Sequence, residues 1–289
     1  MSINTIILAA GKGSRMNSNL LKVLHCVAGK PIIQYVLDAV ESLSTTTYMV
    51  IGHQADSLKK TLASNTIQYV TQTDQLGTGH AVQQVTPQLQ KEASSHTLIL
   101  AGDCPLIEKD TLKELIETHT NQNAAATILT TIMSDPSGYG RILRDKTNTV
   151  TGIKEQKDCN DTEASICEIN SGIYIFQTDL LCKFISELKP NNKQKEYYLT
   201  DIIQLLKNNH HLVHALCITD YQQVIGINTR QHLAESNEAI YQKNNNYHMS
   251  QGVTIVDPKS TFIDADVTIG QDTIVEPFCI LKGKTRIGT

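Results

Sequence analysis

Short apolar runs alternate with helical stripes over the first two-thirds of the chain. Residues 6–9 form a continuous apolar run, typical of a strand buried on both faces. After Pro31, apolar side chains recur with the 3.6-residue period of a helix at Ile32, Ile33, Val36, Leu37, Val40 and Leu43. The same alternation predicts a helix near residues 56–62 and further strands at residues 48–51, 67–70, 97–101, 124–132, 150–153, 173–176 and 212–218. Strands separated by helices predict an α/β fold with a Rossmann-like, mostly parallel sheet covered on both faces.

The periodicity changes near residue 228. Residues 231–247 predict a polar helix, after which apolar residues recur every six positions, at Ile263, Ile269, Val275, Leu281 and Ile287. This spacing fits neither a helix nor a flat strand, and it is typical of a left-handed parallel β-helix, in which each turn has three flat faces. We therefore expect a main α/β domain over residues 1–228, a linker helix over 229–250 and the start of a β-helix over 251–289. Because β-helices need several repeats and a cap, we also expect the chain to be a truncated part of a longer protein.

Composition narrows the classes of function. The 289-residue chain has a formal net charge of −4, which gives it no general attraction for nucleic acid or anionic membranes. Its seven cysteines lie singly, which argues against a disulfide framework or a structural zinc site. It has neither a leader-like start nor an apolar run long enough to span a membrane, so we expect a cytoplasmic protein.

The segment "AAGKGSRM" at residues 9–16 is a glycine-rich turn after the first strand. It lacks the third glycine of a Rossmann fingerprint and the glycine–lysine pair of a P-loop. Its backbone amides could still bind phosphate, with Lys12, Arg15 and Lys22 as positioned cations. The alternative is a tight solvent-exposed turn. Asp103 lies at the end of another strand, where a carboxylate is costly unless it is paired or bound to a metal ion. Its position therefore fits a metal ligand or, alternatively, a helix cap.

The loop resembles the signature of the sugar-phosphate nucleotidyltransferases, L-x-x-G-x-G-[TS]-R-[ML]…K. The matching residues are Leu8, Gly11, Gly13, Ser14, Arg15, Met16 and Lys22. Further motifs follow in order: "QLGTGHA" at 75–81, "GDCPL" at 102–106, "GYGRI" at 138–142, "EINSG" at 168–172 and "EYYLTDII" at 196–203. Together with the six-residue repeat, they resemble the bifunctional enzymes that combine an N-acetylglucosamine-1-phosphate uridyltransferase with a glucosamine-1-phosphate N-acetyltransferase.

This resemblance implies uridylyl transfer from UTP to N-acetyl-α-D-glucosamine 1-phosphate, which gives pyrophosphate and UDP-N-acetylglucosamine, a precursor of peptidoglycan and lipopolysaccharide. It implies catalytic roles for Arg15, Lys22 and Asp103, and Mg²⁺ held by Asp103 and Asn228. The implied nucleotide contacts are Leu8, Ala9, Ala10, Gly11, Gln72, Gly77 and Thr78. Further implied substrate contacts are Lys22, Ala101, Gly102, Asp103 and Asn228. The implied sugar contacts are Gly140, Glu155, Asn170, Tyr198 and Thr200. The sugar phosphate oxygen attacks phosphorus directly, so no protein nucleophile is needed.

The sequence departs from the family at two positions and leaves two alternatives open. Ala101 stands where tyrosine is frequent, and Ile225 where glutamate is common. The family's acetyltransferase residues lie beyond Thr289, so we expect no acetyl transfer, and so few repeats do not predict the family's trimer. The alternatives are a nucleotidyltransferase for another sugar 1-phosphate and a catalytically silent, nucleotide-binding assembly module.

Overall fold

The computed structural model describes residues 2–52, 55–62, 66–92 and 94–288. Its strands are β1 Ile3–Ala9, β2 Cys26–Val27, β3 Lys30–Pro31, β4 Thr46–Ile51, β5 Ile67–Thr71, β6 His96–Ala101, β7 Ala126–Ile132, β8 Gly140–Arg144, β9 Val150–Lys154, β10 Glu168–Gln177, β11 Val213–Ile218, β12 Thr254–Ile255, β13 Phe262–Ile263, β14 Thr268–Ile269, β15 Ile274–Val275, β16 Ile280–Leu281 and β17 Arg286–Ile287. Its α-helices are α1 Ile32–Val40, α2 Ala55–Leu62, α3 Thr78–Gln83, α4 Thr86–Leu89, α5 Lys109–Asn121, α6 Asp161–Ala164, α7 Thr178–Ile185, α8 Asp201–Asn208 and α9 Arg230–Ser250.

The chain divides into two compact units. The first unit consists of Met1–Lys12, Leu37–Gly102 and Ile107–Ile225. The second unit consists of Gly13–Val36, Asp103–Leu106 and Gly226–Thr289. Among the helices that the structure describes, none is both long enough and apolar enough to cross a membrane.

The first unit is built on a sheet with the strand order β11-β7-β10-β6-β1-β4-β5, to which β8 and β9 are added beside β10. The pairs β1–β4, β1–β6, β4–β5 and β7–β11 are parallel. Continuous apolar stretches make these strands suitable for burial on both faces, and Ile6, Ile99 and Ile128 are fully buried in the core. The predicted mostly parallel, Rossmann-like sheet is confirmed.

The strand β10 is the main departure from a fully parallel sheet. It runs antiparallel to both β6 and β7, and its register shifts between Asn170 and Tyr174. The predicted strand at residues 173–176 is therefore only the second half of an element that begins at Glu168. The apolar pattern does not predict β8, because glycine and arginine interrupt it there.

The second unit contains the β2–β3 hairpin, the long helix α9 and the six short strands β12–β17. These six strands form three parallel pairs. In two of them the offset is 18 residues, or three six-residue repeats, so that Phe262 lies beside Ile280 and Thr268 beside Arg286. In the pair β12–β15 the offset is 20 residues, from Thr254 to Ile274. Ile263 and Val275, two of the residues in the six-residue series, are buried in a small core with Ile255. The predicted start of a parallel β-helix is confirmed, and the predicted polar helix extends over Arg230–Ser250.

Candidate functional site

Three of the predicted site residues meet in the second unit. The Lys22 ammonium is in contact with Asp103 Oδ2, and it donates a hydrogen bond to Asn228 Oδ1 at 3.1 Å. The side chains of Lys22 and Asp103 are only 14% and 16% exposed. A carboxylate and an amide oxygen therefore converge on one point that already carries positive charge.

The backbone around Gly226 holds this cluster in place. The Ile227 amide donates to the Asp103 carbonyl at 2.9 Å, and Asn228 Nδ2 donates to the Gly226 carbonyl at 3.2 Å. A Cβ atom at Gly226 would lie 3.2 Å from both carboxylate oxygens of Asp103. Glycine at this position thus allows the segment that carries Asn228 to lie directly against the Asp103 carboxylate.

The structure excludes the helix-cap alternative for Asp103. Helix α5 begins at Lys109, and its N-cap residue is Glu108. The next residue, Cys104, is buried. This burial raises the pKa of the Cys104 thiol well above its usual value, and the negative charge of Asp103 raises it further. A buried, protonated thiol is a poor nucleophile, which agrees with a site that relies on positioning.

The glycine loop continues in the second unit as a tight turn at Ser14–Met16. Gly13 has a left-handed φ of 61°, and a Cβ atom there would lie 2.7 Å from Lys22 Cβ. Arg15 is exposed and makes no hydrogen bond or ion pair with the residues that the structure describes. Arg230 holds the end of the turn, because its Nε donates to the Met16 carbonyl at 3.1 Å.

His25 completes the support of this turn. Arg230 Nη1 lies 3.2 Å from His25 Nδ1, and since a guanidinium nitrogen can only donate, His25 accepts through Nδ1. Burial, followed by the Arg230 charge, lowers the pKa of His25. The imidazole is therefore neutral near pH 7, as the acceptor role requires.

In the first unit, the ends of β1 and β6 lie side by side. Leu8 pairs with Ala101, and the Gly102 amide donates to the Leu8 carbonyl at 2.9 Å. Beyond the strand, the Ala10 carbonyl accepts a hydrogen bond from Gln75 Nε2. A Cβ atom at Gly11 would meet nothing within 4 Å, so the backbone at this position is open to a ligand.

The two motifs predicted to contact uracil and sugar are joined by hydrogen bonds. Leu199 donates to Thr78 Oγ1 at 3.1 Å, and Gly79 donates to the Tyr197 carbonyl at 2.8 Å. Gly77 has a φ of 106°, and a Cβ atom there would lie 2.6 Å from the Tyr197 carbonyl oxygen. Residues 77–79 and 197–199 therefore form one connected wall of the first unit.

Four of the five predicted sugar-contacting residues lie in two adjacent pairs. Thr200 Oγ1 donates to Glu155 Oε1 at 3.0 Å, and Gly140 lies beside Asn170 in the β8–β10 ladder. The Tyr198 hydroxyl accepts a hydrogen bond from Gln194 at 2.7 Å. Burial is the main cause that raises the pKa of Glu155, although the Thr200 hydrogen bond lowers it.

Within the described residues, no group of three or more His, Cys, Asp and Glu side chains could hold a metal ion. Asp103 and Asn228 supply two oxygen donors, which suit a hard divalent cation that takes its remaining ligands from phosphate and water. The contact of both oxygens with Lys22 Nζ indicates that a cation fits at this point.

Sequence reasoning missed the residues that hold the site residues in place, among them Gln75, Arg230 and Gly226. Gln75 and Arg230 donate to backbone carbonyls, and Gly226 allows the backbone to approach a carboxylate closely. Interactions of these kinds leave no periodic or compositional signal in a sequence. Arg230 carried a weak signal, since it follows Asn228 within the "GINTR" segment.

Comparison with known proteins identifies the family and the fold of this chain. The profile of the nucleotidyl transferase family matches residues 4–226. A solved UDP-glucose pyrophosphorylase in complex with UDP-glucose superposes with a TM-score of 0.68 at 18% identity, over 84% of this chain and 100% of that one. At this identity the likeness concerns the fold alone.

Curated relatives are similar over almost the whole chain. The bifunctional protein GlmU of Levilactobacillus brevis is 47% identical over 286 residues, which are 99% of this chain and 62% of that protein. The bifunctional protein GlmU of Enterococcus faecalis is 45% identical over 98% of this chain and 62% of its own length. This chain therefore spans about 62% of the length of these relatives.

Proposed function

The chain belongs to the nucleotidyl transferase family, and from this premise we propose that it transfers a uridylyl group from UTP to N-acetyl-α-D-glucosamine 1-phosphate. The products are UDP-N-acetylglucosamine and pyrophosphate. The observation that carries this proposal is the convergence of Lys22, Asp103 and Asn228 on one point. The identity of the sugar and of the nucleotide rests on the ordered motifs of the sequence and on the similarity to GlmU proteins.

The reaction requires a phosphate oxygen of the sugar phosphate to attack the α-phosphorus in line with the departing pyrophosphate. In such a transfer, positioning and neutralisation of charge supply most of the catalysis. Lys22, with its shielded ammonium, is suited to hold the phosphate oxygens during attack. Arg15, exposed on the turn and without a protein partner among the described residues, is suited to the charge of the departing pyrophosphate.

Asp103 and Asn228 are the residues that would hold Mg²⁺, the divalent cation that the family resemblance implies. Carboxylate and amide oxygens are suitable ligands for Mg²⁺. Lys22 Nζ already contacts both oxygens, so a positive charge is accommodated at this point. The chemistry supplied by bound Mg²⁺ is neutralisation of charge on the reacting phosphates. Asp103 contributes the negative charge that this binding needs, and the close approach of the Gly226 backbone to its carboxylate brings the segment that carries Asn228 beside it.

The first unit supplies the selectivity in this proposal. The backbone of residues 8–11 lies against the nucleotide, and Gln72 and residues 77–78 contact the uracil. Glu155, Asn170, Tyr198, Thr200 and Gly140 contact the sugar. Glu155 accepts one hydrogen bond from Thr200, which leaves its second oxygen to accept from a sugar hydroxyl.

Release of pyrophosphate tests the proposal directly. We expect release from UTP with N-acetylglucosamine 1-phosphate, in a reaction that requires Mg²⁺ and is abolished by a chelator. Release with glucose 1-phosphate but not with N-acetylglucosamine 1-phosphate would indicate another sugar nucleotidyltransferase. Absence of release with every sugar 1-phosphate, at concentrations where UTP binds, would indicate a nucleotide-binding protein without catalysis.

A further inference from the structure

The Gln72 side chain is only 4% exposed, and its terminal amide makes two hydrogen bonds. One end of the amide, the Nε2 group, lies 3.1 Å from the Gly77 carbonyl oxygen and 3.0 Å from His80 Nδ1. Gln72 follows strand β5, and His80 lies in helix α3. All three residues belong to the first unit.

The Gly77 carbonyl determines which end of the Gln72 amide faces inward. A carbonyl oxygen can only accept, so the amide atom beside it must be the NH₂ group, and the second hydrogen of that group then points to His80. Because the NH₂ group has no lone pair to offer, His80 Nδ1 must be the acceptor. His80 therefore carries its proton on Nε2.

Gln84 is compatible with this tautomer. Its terminal amide lies 3.1 Å from His80 Nε2, and it is half-buried at the end of helix α3. The same Nε2 group donates to the His80 carbonyl at 3.2 Å, so turning the amide to accept from the His80 Nε2 proton exchanges that hydrogen bond for another at a half-exposed position, where water can replace the lost partner. The more deeply buried Gln72 has no such freedom, because reversing its amide would place two acceptors against each other at Gly77.

Both donors of the Gln72 amide are consequently used within the protein. Its oxygen Oε1 makes no hydrogen bond to the described residues, and it is not among the side-chain atoms that are sealed from solvent without a partner. The group that Gln72 can present to a ligand is thus a hydrogen-bond acceptor and not a donor.

We propose that His80 is a positioning residue that, together with the Gly77 carbonyl, fixes the Gln72 amide as an acceptor, and that this orientation selects uracil over cytosine. The inference rests on the proposed function, which brings the nucleobase to Gln72. Uracil offers an N3–H donor to Oε1, whereas cytosine offers an N3 lone pair, and two acceptors in contact are unfavourable. Sites that bind a donor through a dedicated acceptor discriminate strongly against analogues without that donor.

The test compares kcat/KM for UTP, N3-methyl-UTP and CTP, with N-acetylglucosamine 1-phosphate as the second substrate. We expect the wild-type chain to prefer UTP over both other nucleotides by about 100-fold or more. His80→Leu removes the acceptor; it should lower the UTP-to-CTP ratio about tenfold, mainly through a higher KM for UTP with a smaller change in kcat. His80→Asn places an amide oxygen near the position of Nδ1, and it should keep the ratio within about twofold of wild type.

Gln83→Leu is the matched control, because Gln83 lies in the same helix but donates to the Ile185 carbonyl at 2.7 Å instead. It should leave the UTP-to-CTP ratio unchanged even if it lowers stability. An unchanged ratio in His80→Leu, or an equal loss in His80→Leu and His80→Asn, would overturn the proposal, since the acceptor would then not matter.

If the wild-type chain transfers no nucleotide, the proposed function fails, and calorimetric binding of UTP and CTP still tests His80. Tighter binding of UTP than of CTP by wild type and by His80→Asn, with the difference reduced in His80→Leu, supports the role of His80. The same ratio in all three proteins refutes it.

Discussion

Asp103 is a shielded carboxylate whose charge is balanced by Lys22, and the same ammonium donates to the amide oxygen of Asn228. Replacing Asp103 with Asn keeps the shape and removes the charge. We expect the Asp103→Asn variant to remain folded and to lose at least about 100-fold in kcat, because Mg²⁺ loses its anionic ligand. Pyrophosphate release across a Mg²⁺ titration, with a thermal melt in parallel, measures both effects.

Asp110→Asn is the control for this substitution. Asp110 also pairs with a lysine, at 2.7 Å from Lys113, but its side chain is 87% exposed. Such surface pairs contribute little, so neither turnover nor melting temperature should change measurably. Wild-type turnover of Asp103→Asn at saturating Mg²⁺ would contradict the assignment of Asp103 as a metal ligand.

Glycine is required at Gly13 and at Gly11 of the loop for different physical reasons. Gly13 combines a left-handed φ of 61° with a close approach to Lys22, whereas a Cβ atom at Gly11 meets only open space. We expect Gly13→Ala to lower the free energy of unfolding by about 1–3 kcal/mol. Gly11→Ala should change it by less than about 0.5 kcal/mol, yet raise the KM for UTP about tenfold or more, because the added methyl group holds the phosphates away from the backbone amides.

Urea unfolding and steady-state kinetics on both alanine variants separate these reasons. An unaltered KM for UTP in Gly11→Ala would argue for a solvent-exposed turn, which is the alternative that the sequence left open. Equal destabilisation by both substitutions would show that the backbone geometry at Gly13 has no special cost.

At the scale of elements, helix α5 is attached to the sheet through a pair of histidines, the buried His119 and the half-buried His96. His119 in α5 lies 3.1 Å from His96 Nδ1 in β6, and its own Nδ1 lies 3.0 Å from Thr127 Oγ1 in β7. Burial, followed by the neighbouring His96, lowers the pKa of His119 from 6.5 to about 4. The folded state thus keeps this imidazole neutral over a pH range in which the unfolded chain binds a proton.

The free energy of unfolding should therefore fall as the pH decreases from about 6.5 to about 4, and the contribution of His119 should be constant above this range. The pKa difference limits this contribution to about 3 kcal/mol. Urea unfolding at several pH values should show a shallower acid loss for His119→Asn, which keeps a polar group near Thr127 but does not titrate. Parallel pH profiles for the two proteins would refute the role of His119.

Elements with a regular spacing of apolar residues could be predicted from the sequence. Elements whose position or direction depends on the strands that pair with them could not. The apolar run of β1, the stripe of α1 and the six-residue series of the β-helix depend only on which residues face inward. The antiparallel direction of β10 and the position of β8 depend on which neighbours pair in three dimensions. An apolar run of the same composition suits either direction, so the sequence contained no signal for this choice.

The same distinction applies to the candidate site. Lys22, Asp103 and Asn228 were predicted together on the strength of the family resemblance, and their side chains do meet. The roles of Gln75, Arg230 and His80 depend on distances to carbonyl and ring atoms that neither residue type nor spacing reveals. The sequence can therefore suggest the groups that act on a substrate, but the groups that orient them become visible only in the fold.

At the scale of the whole molecule, the second unit joins distant parts of the chain around the hairpin that follows Lys22. The Ala28 amide donates to Asn237 Oδ1 at 2.8 Å, and the Ala28 carbonyl accepts from Ala265 at 3.1 Å. Lys30 pairs with Asp266 at 3.6 Å. Helix α9 and the first turn of the β-helix thus hold the hairpin, and we infer that they stabilise the segment that carries Lys22.

Gly29 is the point at which this packing can be tested. It has a φ of 79°, and a Cβ atom there would lie 2.3 Å from Asp264 Oδ2. We expect Gly29→Ala to lower the free energy of unfolding by about 2–4 kcal/mol and to reduce kcat, because the hairpin must move away from the β-helix and Lys22 moves with it. Gly283→Ala is the matched control, because Gly283 has a similar φ of 60° but a Cβ atom there would meet nothing within 4 Å. It should cost only the backbone strain, about 1 kcal/mol, and leave kcat unchanged. If Gly29→Ala loses stability without losing turnover, the β-helix supports the fold of the second unit but not the position of Lys22.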